Sequence, residues 1–171
     1  MSTVVVVPHD PEWATMFAAE AKAIETALGE ALVAIHHIGS TSIPGIFAKP
    51  VMDILLEVLS LDDLDKRTSA MIELGYEAKG EFGLMGRRYF RKDDERGVRT
   101  HQVHAYQVGS EEINRHLGFR DHMRRNADDA AAYSDLKRSL AAKFPDDADS
   151  YIAGKDAFIR NIDRIVADSR P

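Results

Sequence analysis

The sequence predicts one α+β domain over residues 1–171, with a mixed β-sheet flanked by helices and a helical C-terminal third. Two patterns support this prediction. Between about residues 30 and 108, short apolar segments with strand-like alternation are separated by turn residues. From about residue 110 to residue 168, the apolar residues recur at helical spacing instead, and we expect these helices to pack against the sheet.

The first elements are predicted from local signals. Val4–Val7 are predicted to form a short strand. A helix then begins with Asp10 as its N-cap and Pro11 at its first position, and it ends at Gly29. The apolar segment 31–38 is predicted to form the next strand.

The rest of the chain divides at glycine, proline and acidic residues. Further strands are predicted at 51–58, 76–79, 87–92 and 101–108, and further helices at 61–74, 110–125, 128–144 and 147–167. Ser110 is suited to cap the helix that follows it, because its hydroxyl can accept a hydrogen bond from a free N–H group of the first turn.

Composition narrows the classes of function. The net charge of −6 argues against nucleic acid as a partner, since non-specific binding to it usually needs a basic domain. The absence of cysteine excludes thiolate metal sites and cysteine nucleophiles, and it fits a cytoplasmic protein. No apolar run reaches the roughly 20 residues that span a bilayer, and the N-terminal valines lack the basic flank of a signal peptide, so no membrane partner is expected. The oligomeric state stays open.

A glycine- and hydroxyl-rich segment carries the strongest chemical signal. Gly39 permits close approach of the backbone to a ligand. The hydroxyl and N–H groups of Ser40, Thr41 and Ser42 can form a nest that suits a phosphate. The alternative is that the segment is only a turn, with Asp53 as a cap at the end of a strand.

Strand alternation places Asp53 away from the core. One face of the strand 51–58 is wholly apolar and consists of Met52, Ile54, Leu56 and Val58. Asp53, Leu55 and Glu57 occupy the other face. A carboxylate close to a bound phosphate needs a cation between them, commonly Mg²⁺. Lys49, four residues before Asp53, is by its position a further candidate for binding phosphate.

Residues 37–58, HIGSTSIPGIFAKPVMDILLEV, resemble the signature of the GrpB family, which is related to the DNA polymerase beta-like nucleotidyltransferases. The resemblance continues through GRRYFRK (86–92), THQVHAY (100–106), HLGFRDHMRRN (116–126), YSDLKRSLA (133–141) and YIAGKDAFI (151–159). It implies a nucleotidyltransferase-like fold. By the same resemblance, Gly39 and Ser40 would hold the phosphates of a nucleoside triphosphate, and Asp53 would hold Mg²⁺ or Mn²⁺.

One position departs from the superfamily pattern, in which an acid-apolar-acid triplet lies on the strand after the Gly-Ser turn. The second acid would fall at Leu55, which cannot bind a metal. Glu57 lies four strand residues from Asp53, about 13 Å along the backbone, and cannot easily share an ion with it. These residues therefore lack ligands for a two-metal site, and an enzyme and a protein without catalytic activity both remain as alternatives.

Two histidines three residues apart suggest a metal site, but residues at this spacing point to opposite faces of a strand. His101 and His104 are therefore not expected to bind one ion. The superfamily often carries a third acid on a later strand, and by resemblance His104 would take that place as a metal ligand or an acid/base group. A structural role for His104, and likewise for His37, is the alternative.

Basic residues supply further phosphate candidates. Arg88 and Lys92 lie in the strand 87–92, where the resemblance favours ligand contact over a solvated face. Arg120, Lys137 and Lys155 lie on the three predicted C-terminal helices, and they either clamp a triphosphate or pack along their helices beside aromatic residues.

These observations favour Mg²⁺-dependent transfer of a nucleotidyl group from a nucleoside triphosphate to a small molecule or a protein. Asp53 would bind the metal, and His104 would assist. The alternative is a catalytically weak or inactive protein that binds a nucleotide or another phosphorylated small molecule without turnover. Labelled triphosphates would separate the two, because only the first transfers the label.

Overall fold

The computed structural model describes residues 3–170, so the predicted limits at residues 1 and 171 lie outside the described residues. The helices are α1 (Glu12–Leu28), α2 (Leu61–Asp65), α3 (Thr68–Glu73), α4 (Glu111–Arg125), α5 (Ala127–Lys143) and α6 (Ala148–Asp168). The strands are β1 (Leu32–Ile38), β2 (Met52–Val58), β3 (Glu77–Ala78), β4 (Arg87–Asp93) and β5 (Arg99–Gln107). Short 3₁₀ turns lie at Gly29–Ala31 and Ser40–Ser42.

The capping residues act as predicted. The Asp10 carboxylate accepts a hydrogen bond of 2.9 Å from the Glu12 N–H at the start of α1. Gly29 follows the last residue of α1 with a φ of 53°, a conformation that favours glycine. The Ser110 hydroxyl accepts a hydrogen bond of 3.3 Å from the Glu112 N–H at the start of α4.

The sheet has the strand order β1-β2-β5-β4-β3. β2 and β5 run parallel, whereas β1–β2, β5–β4 and β4–β3 are antiparallel pairs. In the parallel pair, Asp53 lies opposite Gln102 and Leu55 lies opposite His104. The prediction of a mixed sheet in an α+β fold is therefore confirmed.

The two faces of the sheet differ in cover. On the face formed by Ile54, Leu56 and Val58, the core continues into α1, α2 and α3 through Ile24, Leu28, Leu64 and Met71. The opposite face carries Asp53 and a small cluster in which Leu55 packs with Ile38, Tyr106 and Ile113. The alternation predicted for β2 is confirmed, because its apolar face is fully buried while Asp53 stays partly exposed. We call the face with Asp53 the open face.

The C-terminal helices form a second core against the segment that follows β1. Ile43 and Ile46 of that segment pack with Met123 of α4, Tyr133 of α5 and Ile162 of α6. This packing brings α5 and α6 beside the 3₁₀ turn at Ser40–Ser42. Within the described residues, no helix is both long and apolar enough to cross a membrane.

Two predictions about individual elements are wrong. Val4–Val7 do not form a strand, because the segment makes a single isolated bridge between Val7 and Ala48. The predicted helix 61–74 is two helices, α2 and α3, separated at Lys66 and Arg67. The apolar residues are spaced as in one continuous helix, because Leu64 before the break and Met71 after it both pack into the same core.

Candidate functional site

In the turn after β1, the hydroxyl groups of Thr41 and Ser42 form hydrogen bonds within residues 37–42. The Ser42 hydroxyl donates to the Gly39 carbonyl at 2.5 Å. The Thr41 hydroxyl is hydrogen-bonded to Nε2 of His37 at 2.9 Å, and Thr41 and Ser42 are both buried. Ser40 is partly exposed, and its side chain forms a hydrogen bond with Tyr133 of α5.

Gly39 allows Asp53 to lie directly against the turn. Its φ of 72° falls in the left-handed region that favours glycine. A Cβ atom added at Gly39 would lie only 2.8 Å from Cβ of Asp53. The predicted neighbourhood of the Gly-Ser turn and Asp53 is therefore present, and the Asp53 side chain keeps 28% of its surface exposed.

His104 faces Asp53 from the parallel neighbour strand. Nε2 of His104 lies 3.6 Å from Oδ1 of Asp53, and the His104 side chain is only 14% exposed. His101 lies on the other face of β5, where its Nε2 is 3.9 Å from Oε2 of Glu20. The two histidines thus point to opposite sides of the sheet, as the alternation predicts.

Two arginines of α4 donate hydrogen bonds to the backbone at the two ends of the segment 37–42. Arg120 donates to the carbonyl of His37 at 3.2 Å, and Arg124 donates to the carbonyl of Ser42 at 2.9 Å. Arg120 is also paired with Asp121 at 2.9 Å. Burial, with the charge of Arg124 adding to it, lowers the pKa of His37 to about 4, so His37 is neutral. In this structure Arg120 and His37 position the turn.

Three lysines and two tyrosines form a cluster beside the turn, and we call these five residues, Lys49, Tyr133, Lys137, Tyr151 and Lys155, the lysine–tyrosine cluster. The amino groups of Lys49 and Lys155 lie 5.0 and 4.7 Å from the centroid of the Tyr151 ring. The amino group of Lys137 lies 4.5 Å from the centroid of the Tyr133 ring. The rings thus bring three positive groups together, although like charges repel.

Lys137 is the most unusual member of the cluster. The residue is 1% exposed, and its Nζ has no hydrogen-bond partner within the described residues. Burial, assisted by the charge of Lys155, lowers the pKa of Lys137 to about 7. Burying an amino group without a partner costs stability, and such groups are rare in folded proteins.

The cluster and the turn belong to one site. Burial and the charge of Lys49 lower the pKa of Lys155 to about 8, and the charge of Asp53 opposes this shift. Burial also lowers the pKa of Lys49, again against the charge of Asp53. Burial raises the pKa of Tyr133 to about 12, partly offset by a hydrogen bond with Ser40. The charge of Asp53 thus acts on both Lys49 and Lys155.

A glycine brings the two lysine-bearing helices together. A Cβ atom added at Gly154 of α6 would lie 3.0 Å from Cδ1 of Leu140 of α5. Gly154 directly precedes Lys155, and Leu140 lies one helical turn after Lys137. The close contact of the helices thus holds Lys137 and Lys155 near each other.

The structure places Arg88 and Lys92 away from this site. They lie on the covered face of β4, because Tyr89 and Arg91 take the open face. Arg88 forms a bidentate pair with Asp65, at 2.8 and 3.0 Å. Lys92 donates to Glu20 at 2.6 Å. Asp65 of α2 and Glu20 of α1 thus pair with these two basic side chains.

The residues present suit one divalent ion but not two. Leu55, where the superfamily pattern has its second acid, is fully buried in the apolar cluster of the open face. Within residues 3–170, no group of three or more His, Asp or Glu side chains is placed to hold a metal. Asp53 could still share one Mg²⁺ with the phosphates of a bound ligand, which is a usual arrangement for this ion. Two ions would lack ligands.

The sequence did not predict Tyr133, Tyr151 or Arg124 as members of the site. The signal for the tyrosines was the repeated Tyr-x-x-x-Lys spacing at 133–137 and 151–155, which places each tyrosine one turn before a lysine. For Arg124, the signal was its position four residues after Arg120, on the same face of α4. Neither pattern reveals that these side chains turn towards Gly39–Ser42.

Comparison with known proteins shows which family and which relatives the sequence is similar to. The model of the GrpB protein family matches residues 3–164. The UPF0157 protein YqkA of Bacillus subtilis is 43% identical over 92% of the chain. The chain spans only 45% of the length of YqkA.

Solved structures show the same fold. A crystal structure of the conserved protein GrpB from Enterococcus faecalis has a TM-score of 0.90 and 42% identity, and the match covers 95% of this chain and 96% of that chain. The Cid1 poly(U) polymerase with MgGTP bound has a TM-score of 0.55 and 13% identity over 79% of this chain and 44% of its own. At that identity the second likeness shows the fold alone, which is nucleotidyltransferase-like.

Proposed function

The chain belongs to the GrpB family, and from that premise we propose that its site binds the polyphosphate of a nucleoside triphosphate and transfers the nucleotidyl group to a small molecule or a protein. The observation that carries the binding step is the buried amino group of Lys137, which has no partner within the described residues. An anionic ligand would supply that partner.

Binding of a polyphosphate follows from the charges of the lysine–tyrosine cluster. Lys137 and Lys155 repel each other, and Lys155 and Lys49 do the same. A chain of phosphates between these amino groups would replace repulsion by charge-assisted hydrogen bonds, which are among the strongest in proteins. Ser40, whose side chain is hydrogen-bonded to Tyr133, adds a hydroxyl group to the same site. The site therefore suits an anion with several charges better than a single carboxylate.

The transfer step would use Asp53 and His104. A hydroxyl group of the acceptor would give its proton to the Asp53–His104 pair while its oxygen bonds to the α-phosphorus. The bond from the α-phosphorus to the oxygen that bridges to the β-phosphate would break. The pyrophosphate that leaves would be stabilised by the amino groups of Lys137 and Lys155. A single Mg²⁺ shared by Asp53 and the phosphates would neutralise part of the charge of the transferring group.

Binding without transfer is the second candidate, and one observation favours it. Leu55 removes the second metal ligand, and its full burial leaves no room for water or an ion at that position. Such a protein would act as a sensor of nucleotides or of another phosphorylated small molecule.

One experiment separates the two candidates. Calorimetric titration of the full chain with each of the four nucleoside triphosphates, with and without Mg²⁺, measures binding, and labelled triphosphates incubated with a metabolite extract measure transfer. We expect Lys137→Met to weaken binding, while the matched exposed variant Lys143→Met binds normally. Label transfer that Asp53→Asn abolishes supports the enzyme. Binding without label transfer supports the sensor, and no binding by any triphosphate contradicts both.

A further inference from the structure

A row of aromatic rings runs from the Asp53–His104 pair to the rim of the open face. The His104 ring lies 5.5 Å from the Tyr89 ring, measured between centroids. Tyr89 in turn stacks on Phe82, with centroids 5.0 Å apart and an interplanar angle of 17°. Tyr89 is buried, whereas Phe82 is 52% exposed. The row therefore ends in one aromatic ring that is open to water.

The backbone holds Phe82 in this exposed position at a cost. Its φ of 48° is an unusual and strained value for a bulky residue. The loop is nevertheless pinned, because Arg87 donates to the carbonyls of Glu81 and Phe82 at 3.2 and 2.9 Å. The Glu81 carboxylate accepts a further bond of 2.6 Å from the Gly86 N–H. A strained residue that presents an exposed ring is a signal for function.

Positive charge surrounds this ring. The guanidinium carbon of Arg91 and the amino group of Lys79 lie 5.7 and 5.6 Å from the centroid of the Phe82 ring. Both are paired with Glu77. Arg87 lies 5.1 Å from the Tyr89 centroid, and within the described residues it has no carboxylate partner. The rim therefore keeps an unbalanced positive charge at Arg87.

We propose that Phe82, Arg87 and Tyr89 form the subsite for a second small molecule, which presents a planar ring and an anionic group beside Asp53 and His104. The ring stacks on Phe82, and the anionic group pairs with Arg87. The assignment rests on the proposed function, because the second molecule lies next to the nucleotide and is the acceptor of its nucleotidyl group. Leu84, from the same loop, packs against the apolar cluster that contains Leu55.

The charge and ring geometry of the rim fit this class of ligand. Stacking on an aromatic side chain contributes to the binding of a nucleobase and tolerates different rings. Nε and Nη2 of Arg87 already donate to the loop carbonyls, so the anionic group pairs mainly with Nη1 in a charge-assisted hydrogen bond. Adenosine 5′-monophosphate (AMP) combines both features and serves as the probe. Adenosine lacks its charge, and ribose 5-phosphate lacks its ring.

The test is a nuclear magnetic resonance titration of AMP into the full chain with labelled methionine methyl groups, with saturating inorganic tripolyphosphate in the lysine–tyrosine cluster. Met85, three residues after Phe82 and 90% exposed, is the reporter. We expect AMP to shift the Met85 signal in a saturable way, and adenosine and ribose 5-phosphate to bind at least about fivefold more weakly.

Variants assign the effect to the rim. Phe82→Ala and Arg87→Ala should each weaken AMP at least about fivefold, Phe82→Trp should keep its affinity, and the exposed control Val98→Ala should not change it. Unchanged AMP affinity in Phe82→Ala, or binding of an oligonucleotide but not of AMP, would overturn the proposal. Tripolyphosphate affinity should be the same in Phe82→Ala and the wild type. Failure of tripolyphosphate binding therefore contradicts the proposed function, whereas failure of AMP binding contradicts only the rim subsite.

Discussion

Lys137 and Lys155 extend from neighbouring helices towards one site, where the charge of Lys155 adds to burial in lowering the pKa of Lys137 to about 7. The fold therefore holds two like charges together and leaves the more buried one without a hydrogen-bond partner within the described residues. Such an arrangement lowers the stability of the free protein. It becomes favourable when an anion lies between the two amino groups.

Replacing Lys137 should therefore stabilise the free protein and weaken its binding. The lowered pKa means that burial of the charged form opposes folding fully below pH 7, and that this penalty fades as the pH rises towards 10.5. We expect Lys137→Met to raise the free energy of unfolding by roughly 1–4 kcal/mol at pH 7, with a smaller gain at pH 9. Chemical denaturation measures the gain. Lys143→Met should change stability by less than about 0.5 kcal/mol, and a Lys137→Met variant less stable than the wild type would contradict the account.

Polyphosphate binding should take up protons above neutral pH. The free Lys137 is mostly neutral at pH 8, and a phosphate beside it raises its pKa. Affinity for tripolyphosphate should therefore fall between pH 7.5 and 9, by up to about tenfold per pH unit for each proton taken up. Calorimetry in buffers of different ionisation enthalpy measures the uptake directly. The uptake should shrink in Lys137→Met, and binding heats that do not depend on the buffer would refute this linkage.

Neutralising Asp53 should separate binding from transfer. Asp53 is the carboxylate whose charge acts on Lys49 and Lys155. In the absence of metal, Asp53→Asn should increase the affinity for tripolyphosphate by roughly two- to tenfold, because a repelling charge is lost. The same variant should lose any nucleotidyl transfer. Asp135→Asn, on the exposed side of α5, is the matched control and should change neither quantity; a loss of tripolyphosphate affinity in Asp53→Asn would count against the assigned charges.

A pair of glycines separates backbone strain from crowding at the turn. Gly39 and Gly45 both have positive φ, at 72° and 81°, but only at Gly39 would an added Cβ collide with Asp53. Gly39→Ala should therefore cost roughly 1–3 kcal/mol more stability than Gly45→Ala, because both share the strain and only one has the collision. Thermal unfolding of the two variants measures the difference. Equal stabilities would show that Gly39 and Asp53 are not in contact.

Local patterns were sufficient for much of the fold and for part of the site. Alternation within β2 placed Asp53 on the open face, and alternation within β5 separated His101 from His104, since the period of two needs no partner strand. The cap at Ser110 was likewise local, because its hydroxyl acts on its own helix. Lys49, Lys137 and Lys155 were identified as phosphate candidates, and the structure brings them together.

Contacts between distant segments could not be predicted in this way. The parallel pairing of β2 and β5 brings His104 to Asp53, and no local pattern gives that register. Arg88 and Lys92 looked available because their partners Asp65 and Glu20 lie 23 and 72 residues away in the chain. The burial of Lys137 depends on the contact of α5 with α6 at Gly154, which spacing alone does not reveal.

A crystal structure of the full chain with Mg²⁺ and a non-hydrolysable nucleoside triphosphate analogue would show whether the lysine–tyrosine cluster binds the phosphates. We expect phosphate oxygens within about 3.2 Å of Nζ of both Lys137 and Lys155, with Ser40 and Asp53 at the same phosphate chain. Phosphates bound elsewhere on the protein, with the amino group of Lys137 still lacking a partner, would contradict this expectation.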